Sequence, residues 1–170
     1  MKLFCWSDIH FNHTNILKYC DRKFDNIEEH DDYYIKIWNK NISNEDTIYY
    51  LGDFLLSNKH ALKKILEQLN GKKVLIRGNH DRFTTNKYIT GGFSEVVNYK
   101  IENIDSKIIG VKGNIFFSHY PFSDIDEYKI LYNKNNCVLN IHGHLHNKTI
   151  PSKEFLSVCC DVNKNPVRIL

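Results

Sequence analysis

Five blocks of the sequence place groups that hold cations or move protons directly after apolar runs: Ser7-Asp8-Ile9-His10, Leu51-Gly52-Asp53, Arg77-Gly78-Asn79-His80-Asp81, Ser118-His119-Tyr120-Pro121 and His142-Gly143-His144-Leu145-His146. Carboxylates, imidazoles and one amide are all metal ligands. D-x-H and H-x-H spacing sets two donors on one side of a short extended stretch, with the residue between them pointing away. Two cations about 4 Å apart need a shared anion to offset their repulsion, and an aspartate at a strand end, such as Asp53, is suited to bridge them. The Gly78-Asn79 pair alone reads equally well as a turn, so the other blocks decide its meaning.

Periodicity identifies the elements that must carry these blocks. Leu3 to Ser7 reads as a strand, and Asn12-His13-Thr14 as the cap of a helix carrying Ile16, Leu17 and Tyr19. Ile27, Tyr34, Ile35, Trp38 and Ile42 recur at helical spacing, and Thr47 to Leu51 reads as a strand stopped by Gly52-Asp53. Ser57 or Asn58 caps a helix through Leu62, Ile65, Leu66 and Leu69, with Gly71 as its C-terminal glycine, before a strand from Lys73 to Ile76. Strand-like runs follow at Val96 to Ile104, Lys107 to Val111, Ile115 to Ser118, Val138 to Ile141 and Phe155 to Val158. The reading is one α/β domain over residues 1–170, helices outside and sheet inside, with the polar blocks at strand carboxyl ends.

Composition narrows the setting more than the chemistry. A net charge of +3 with 25% charged residues neither demands nor excludes a phosphate-bearing partner. The five cysteines show no C-x-x-C spacing and read as reduced thiols. The start, MKLFCWSD, reaches an acid at position 8, so neither a signal peptide nor a membrane span is expected, and the location is read as cytoplasmic.

In order and spacing, SDIH, LGD, RGNHD, SHYP and HGHLH resemble the calcineurin-like metallophosphoesterase superfamily. The resemblance implies a four-layer α/β/β/α sandwich, with two mixed β-sheets flanked by helices and a metal site at strand C-terminal ends. It also implies two ligand shells, Asp8, His10, Asp53 and His146 for one ion, and Asp53, Asn79, His119 and His144 for the other. Mn²⁺ is favoured for its oxygen donors, while Fe, Zn²⁺, Ni²⁺ and Co²⁺ fit the same set. The implied reaction is hydrolysis of a small, nucleotide-like phosphodiester or phosphomonoester by a hydroxide bridging two metal ions, with His80 as proton donor to the departing oxygen and Asp81 as its orienting partner.

Arg77 and Arg82 flank the third block and are read as phosphate contacts, and His13 as a further substrate contact. His30 and His60 read as solvated surface residues, and His142 as packed behind the H-x-H pair. Lys59, Lys63, Lys64, Lys72 and Lys73 read as the wet side of a helix, although a nucleic-acid backbone would suit them. Two other functions are weighed: a metal-dependent nuclease, for which an extra duplex-holding domain is expected and not found in these residues, and a metal-free scaffold, which the full ligand set argues against. Little chain is left to form a lid, which suggests an open site and residues lent by a second copy in a homo-oligomer.

Overall fold

Strands β1 (Leu3–Trp6), β2 (Thr47–Tyr50) and β3 (Lys72–Ile76) run parallel, with all of β1 and nearly all of β2 buried. They belong to a computed structural model that describes residues 1–56 and 59–170. Strands covered on both faces have no wet side, which is why these segments read as continuous apolar runs. Their alternate side chains fill two cores. Phe4, Trp6, Ile48, Tyr50 and Leu75 pack beneath helices, while Leu3, Cys5, Tyr49, Leu51, Val74 and Ile76 face a second sheet.

Two short strands complete the first sheet: β4 (Glu95–Val97), parallel to β3, and β9 (Val167–Arg168), antiparallel to β1. The second sheet orders β5 (Tyr99–Ser106), β6 (Val111–Ser118), β7 (Cys137–His142) and β8 (Phe155–Ser157), the first pair antiparallel and the rest parallel. Both sheets are therefore mixed. A parallel bridge from Ser7 to Cys159 joins them at one edge.

Helix α1 (Ile16–Tyr19) lies in the loop after β1. Helices α2 (Ile27–Asn41), α3 (Lys59–Leu66) and α4 (Thr85–Gly91) cover the outside of the first sheet through Tyr34, Trp38, Leu62, Leu66 and Tyr88. Helix α5 (Asp126–Lys134) covers the second sheet, its Tyr128 and Tyr132 rings against Phe116. The result is the expected sequence of layers, helix, sheet, sheet, helix. Asn26 caps α2 by accepting from the Glu29 amide at 2.8 Å, and Glu28 and Glu29 in the first turn suit the positive end of the helix. No helix of the described residues is long and apolar enough to cross a membrane.

Several expectations need correction. The run from Val96 to Ile104 is two strands, because the chain leaves the first sheet at Asn98 and enters the second one residue later. Lys107 to Gly110 is the turn of the β5–β6 hairpin, with Gly110 at φ +67°, a value open to glycine. Asn15 stands at the N-cap of α1 in place of Asn12-His13-Thr14. The expected cap at Ser57 or Asn58 lies outside the described residues. His30 is fully buried, on the α2 face that also carries Tyr34 and Trp38.

Candidate metal centre

Strands β1, β2 and β3 end at one edge of the first sheet, and β6 and β7 at the matching edge of the second, so their five following loops converge. Backbone hydrogen bonds lock the loops together. Asp8, His10 and Phe11 donate to the carbonyls of Gly52, Asp53 and Phe54 at 3.1, 3.1 and 2.8 Å, while Gly143 donates to His119 at 2.9 Å. The two sheets are tied by the His144 amide, which donates to Asp8 Oδ2 at 3.0 Å.

Five of the seven expected ligands adopt left-handed backbone: Asp8 (φ 61°), His10 (58°), Asp53 (57°), His144 (70°) and His146 (51°). Each such non-glycine residue costs on the order of 1–3 kcal/mol, which the surrounding packing must offset, and such strain gathers at functional sites. Glycines make room for these side chains. A Cβ on Gly143 would lie 2.5 Å from Asp8 Oδ2, and one on Gly78 would lie 2.6 Å from the Asp53 amide nitrogen and 2.9 Å from its carboxyl carbon. Gly78→Ala is accordingly expected to displace the Asp53 backbone and carboxylate, lower the thermal midpoint, and weaken divalent-ion binding about 10–100-fold, measured by thermal melts and calorimetry.

Asp53 Oδ2 lies between two imidazoles, 3.5 Å from His10 Nε2 and 3.6 Å from His119 Nε2. Asp8, His10 and His146 present ligand atoms within 4.8 Å of one another, and so do Asp8, Asp53 and His119. On the far side, His119 Nε2 lies 3.0 Å from Asn79 Oδ1 and 3.2 Å from His144 Nδ1. His119 Nδ1 donates to the Leu51 carbonyl at 2.8 Å, which leaves Nε2 free to give a lone pair to a cation.

Buried atoms at this point are short of partners. Asp8 Oδ1 and both ring nitrogens of His10 have no hydrogen-bond partner among the described residues, a costly state that bound cations would relieve. Burial drives His10 down to about 2, so its ring is neutral and ready to coordinate. Asp8, although buried, is held below its ordinary range by His119, His146 and His10, whereas burial, together with the nearby Asp8 charge, pushes Asp53 up. Nitrogen and oxygen donors around two crowded carboxylates fit a pair of divalent cations.

The remaining expected residues divide. His80 faces the site, Nε2 4.0 Å from Asp53 Oδ2, with its side chain one-third exposed. Asp81 does not orient it. The Asp81 carboxylate is buried and accepts from the amides of Asp53, Phe54 and Gly78 at 2.8, 3.0 and 2.8 Å, and His80 Nδ1 has no partner among the described residues. Burial beside Asp53 pushes Asp81 up to about 6. It shapes the Asp53 loop, not the His80 ring. Arg77 likewise turns inward, donating to the Asp81 and Phe83 carbonyls and Thr85 Oγ1 at 2.9, 2.8 and 3.0 Å over the Tyr88 ring. Arg82 is exposed and does not line the cavity.

That cavity, about 440 Å³, is bounded by His10, His13, Tyr19, His80, His146 and Lys148 among others. His13 therefore sits at the site, its ring 5.5 Å from that of His10. His142 is packed behind it, ring edge toward Phe155, its Nδ1 donating to the Gly143 carbonyl at 2.8 Å. His60 is exposed, as are Lys63 and Lys64 on α3. Periodicity and motif missed three residues that border the site. Asp161 Oδ2 accepts from His146 Nδ1 at 2.8 Å, Arg22 binds Asp161, and Cys20 Sγ lies 3.2 Å from His146 Nδ1.

A family profile described as calcineurin-like phosphoesterase matches residues 1–170. An uncharacterized protein of Methanocaldococcus jannaschii is 40% identical over 146 residues, covering 81% of this chain and 79% of its own. The Gene 66 protein of Mycobacterium phage L5 is 27% identical over 166 residues, covering 88% and 79%. Among solved structures, a protein of unknown function from Aquifex aeolicus superimposes with a TM-score of 0.78 at 26% identity, over 98% of this chain and 95% of that one. Phosphopantetheinyl hydrolase from Mycobacterium tuberculosis superimposes with a TM-score of 0.50 at 12% identity over 93% and 88%, a likeness of fold alone.

Proposed function

The chain belongs to the calcineurin-like phosphoesterase family, and from that membership we propose that it hydrolyses a small, nucleotide-like phosphate ester with two divalent cations held across Asp53. The observation that carries this reading is the position of Asp53 Oδ2 between His10 Nε2 and His119 Nε2, 3.5 and 3.6 Å away. Asp8, His10 and His146 would complete one shell, and Asn79, His119 and His144 the other. When bound, such a pair supplies an ionised water near neutral pH and neutralises charge gathering on phosphorus. Manganese is compatible with this mixed set of imidazole nitrogens and carboxylate or amide oxygens.

The chain's own groups do the rest. His80 stands at the open side of the carboxylate, and its exposed edge gives it reach to a departing ester oxygen, to which it would deliver a proton. Asp81 fixes the backbone amides of Asp53 and Phe54, so that the bridging carboxylate does not swing when substrate arrives. Lys148 and the His13 and Tyr19 rings border a cavity of a size usual for small ligands, suited to an anion carrying an aromatic or polar group.

The reading is tested with bis-p-nitrophenyl phosphate and p-nitrophenyl phosphate. Activity is expected to vanish on treatment with EDTA and to return with Mn²⁺. Turnover that survives chelation would overturn it. Cleavage of DNA in gel assays at rates above those on small esters would shift the reading to a nuclease.

A further inference from the structure

Arg22 is only 8% exposed, in a stretch that no motif marks. A guanidinium so far from water is tolerated only where its N–H groups meet acceptors. Nε and Nη2 grip the two Asp161 oxygens at 2.8 Å each, Nη1 donates to the Ile9 carbonyl at 2.6 Å, and Nη2 also donates to the Asp8 carbonyl at 2.7 Å. Nη1 donates further to His30 Nε2 at 2.9 Å, which requires the proton of that ring to be on Nδ1, where Asp31 Oδ1 accepts it at 2.8 Å. The burial of His30 thus belongs to the same network. Asp161 then passes the constraint on, Oδ2 accepting from His146 Nδ1 at 2.8 Å.

Resting on the two-cation reading, we propose that Arg22 and Asp161 are positioning residues that set His146 and the Asp8 to His10 stretch for one ion of the pair, so that losing Asp161 weakens that ion and spares its neighbour. A carboxylate on Nδ1 fixes both the rotation and the tautomer of an imidazole, leaving Nε2 to face a cation. Arg22 acts on the other half of the same shell. Its two carbonyl contacts, on Asp8 and Ile9, pin the stretch in which Asp8 and His10 hold φ values of 61° and 58°. One guanidinium therefore couples the neighbouring ligands Asp8 and His10 to His146, more than a hundred residues further along the sequence, through Asp161, which lies 139 positions from Arg22. The opposite shell is held by other means. His119 donates to the Leu51 carbonyl, and no contact of Arg22 or Asp161 reaches Asn79, His119 or His144 among the described residues.

Cys20, His146 and Asp161 also form a compact donor group, which on geometry alone could be a third cation site. The guanidinium argues against this, because both Asp161 oxygens already bind a buried positive charge that would repel a second cation.

The test uses the full chain as wild type, Asp161→Ala, Asp161→Glu and Arg22→Lys, stripped of metal and titrated with Co²⁺ alone by calorimetry and visible absorption. Wild type is expected to take up two ions. Asp161→Ala should bind one with wild-type affinity and the other about 10–100-fold more weakly, with Arg22→Lys in the same direction and Asp161→Glu recovering part of the loss. A folded Asp161→Ala that binds both ions as wild type does, or loses both equally, overturns the proposal. Should that variant fail to fold, long-range ¹H–¹⁵N NMR of the cobalt-free and zinc-loaded wild type decides: a proton on His146 Nδ1 in both forms supports the assignment, and a zinc-loaded ring protonated on Nε2 overturns it. A wild type that takes up no cobalt defeats the two-cation reading itself, an outcome distinct from those above.

Discussion

Asp53→Asn is expected to lose ion binding and turnover together while making the metal-free protein no less stable. The carboxylate is 2% exposed, lies beside the equally buried Asp8, and is pushed above its ordinary range by that burial. Without a cation it is a destabilising charge. Asparagine keeps the shape and the oxygen that accepts from the His80 amide at 2.9 Å, but removes the charge. The thermal midpoint in EDTA should therefore stay level or rise, whereas the stabilisation gained from added Mn²⁺, about 2.7 kcal/mol at a hundredfold excess over the dissociation constant, should largely disappear. Loss of a partner that only orients a ligand costs 10–100-fold, so losing a shared ligand should lower affinity and catalytic efficiency by more than about a hundredfold. Calorimetry, metal analysis and thermal melts read the three effects separately. Unchanged metal content with full activity would remove Asp53 from its bridging role.

His80→Ala is expected to slow alkyl phosphate esters by about 10²–10⁴-fold while changing p-nitrophenyl esters little, because a good leaving group departs without a proton. The geometry separates this role from metal binding. His80 Nε2 is 4.0 Å from Asp53 Oδ2, the side chain is one-third exposed, and its Nδ1 has no hydrogen-bond partner among the described residues. The ring packs edge-on against that of His10, 5.3 Å away, and no carboxylate accepts from its Nδ1 among the described residues. Metal content should be unchanged in the variant. Equal losses on both ester types would rule out proton donation.

The blocks proposed to hold the ions stand out in the sequence because each is contiguous and each follows an apolar run, which fixes it to a strand end without knowledge of the fold. Their convergence followed from parallel strands sharing an edge. Arg22 and Asp161 were not legible for the opposite reason: one lies in the irregular stretch between α1 and α2 and the other in the turn after β8, and only the folded chain brings them together. His30 was misread for a local reason. Its acidic neighbours suggested a wet surface, yet its spacing of four from Tyr34 and eight from Trp38 marked the buried face of α2, and that signal was available. Helix α5 left a weaker trace, since Tyr132 is buried while Ile130 is 65% exposed, so no clean apolar stripe runs along it. The change of sheet at Asn98 depends on tertiary pairing that no local pattern carries.

Arg77 and Asp81 show how a motif can be found correctly and still be misassigned in detail. Both stand in the block that carries Asn79 and His80, yet Asp81 turns inward to hold the amides of Asp53, Phe54 and Gly78, and Arg77 folds back onto the Asp81 and Phe83 carbonyls. A sequence block locates a loop, but not the direction of each side chain in it.

The most direct test of the shared-carboxylate arrangement is anomalous diffraction from crystals grown with Mn²⁺. Two peaks are expected, one on each side of the Asp53 carboxylate, the first near His10 and His146 and the second near His119 and Asn79. A single peak touching only one of these groups, or two peaks with Asp53 out of contact with either, would contradict the account.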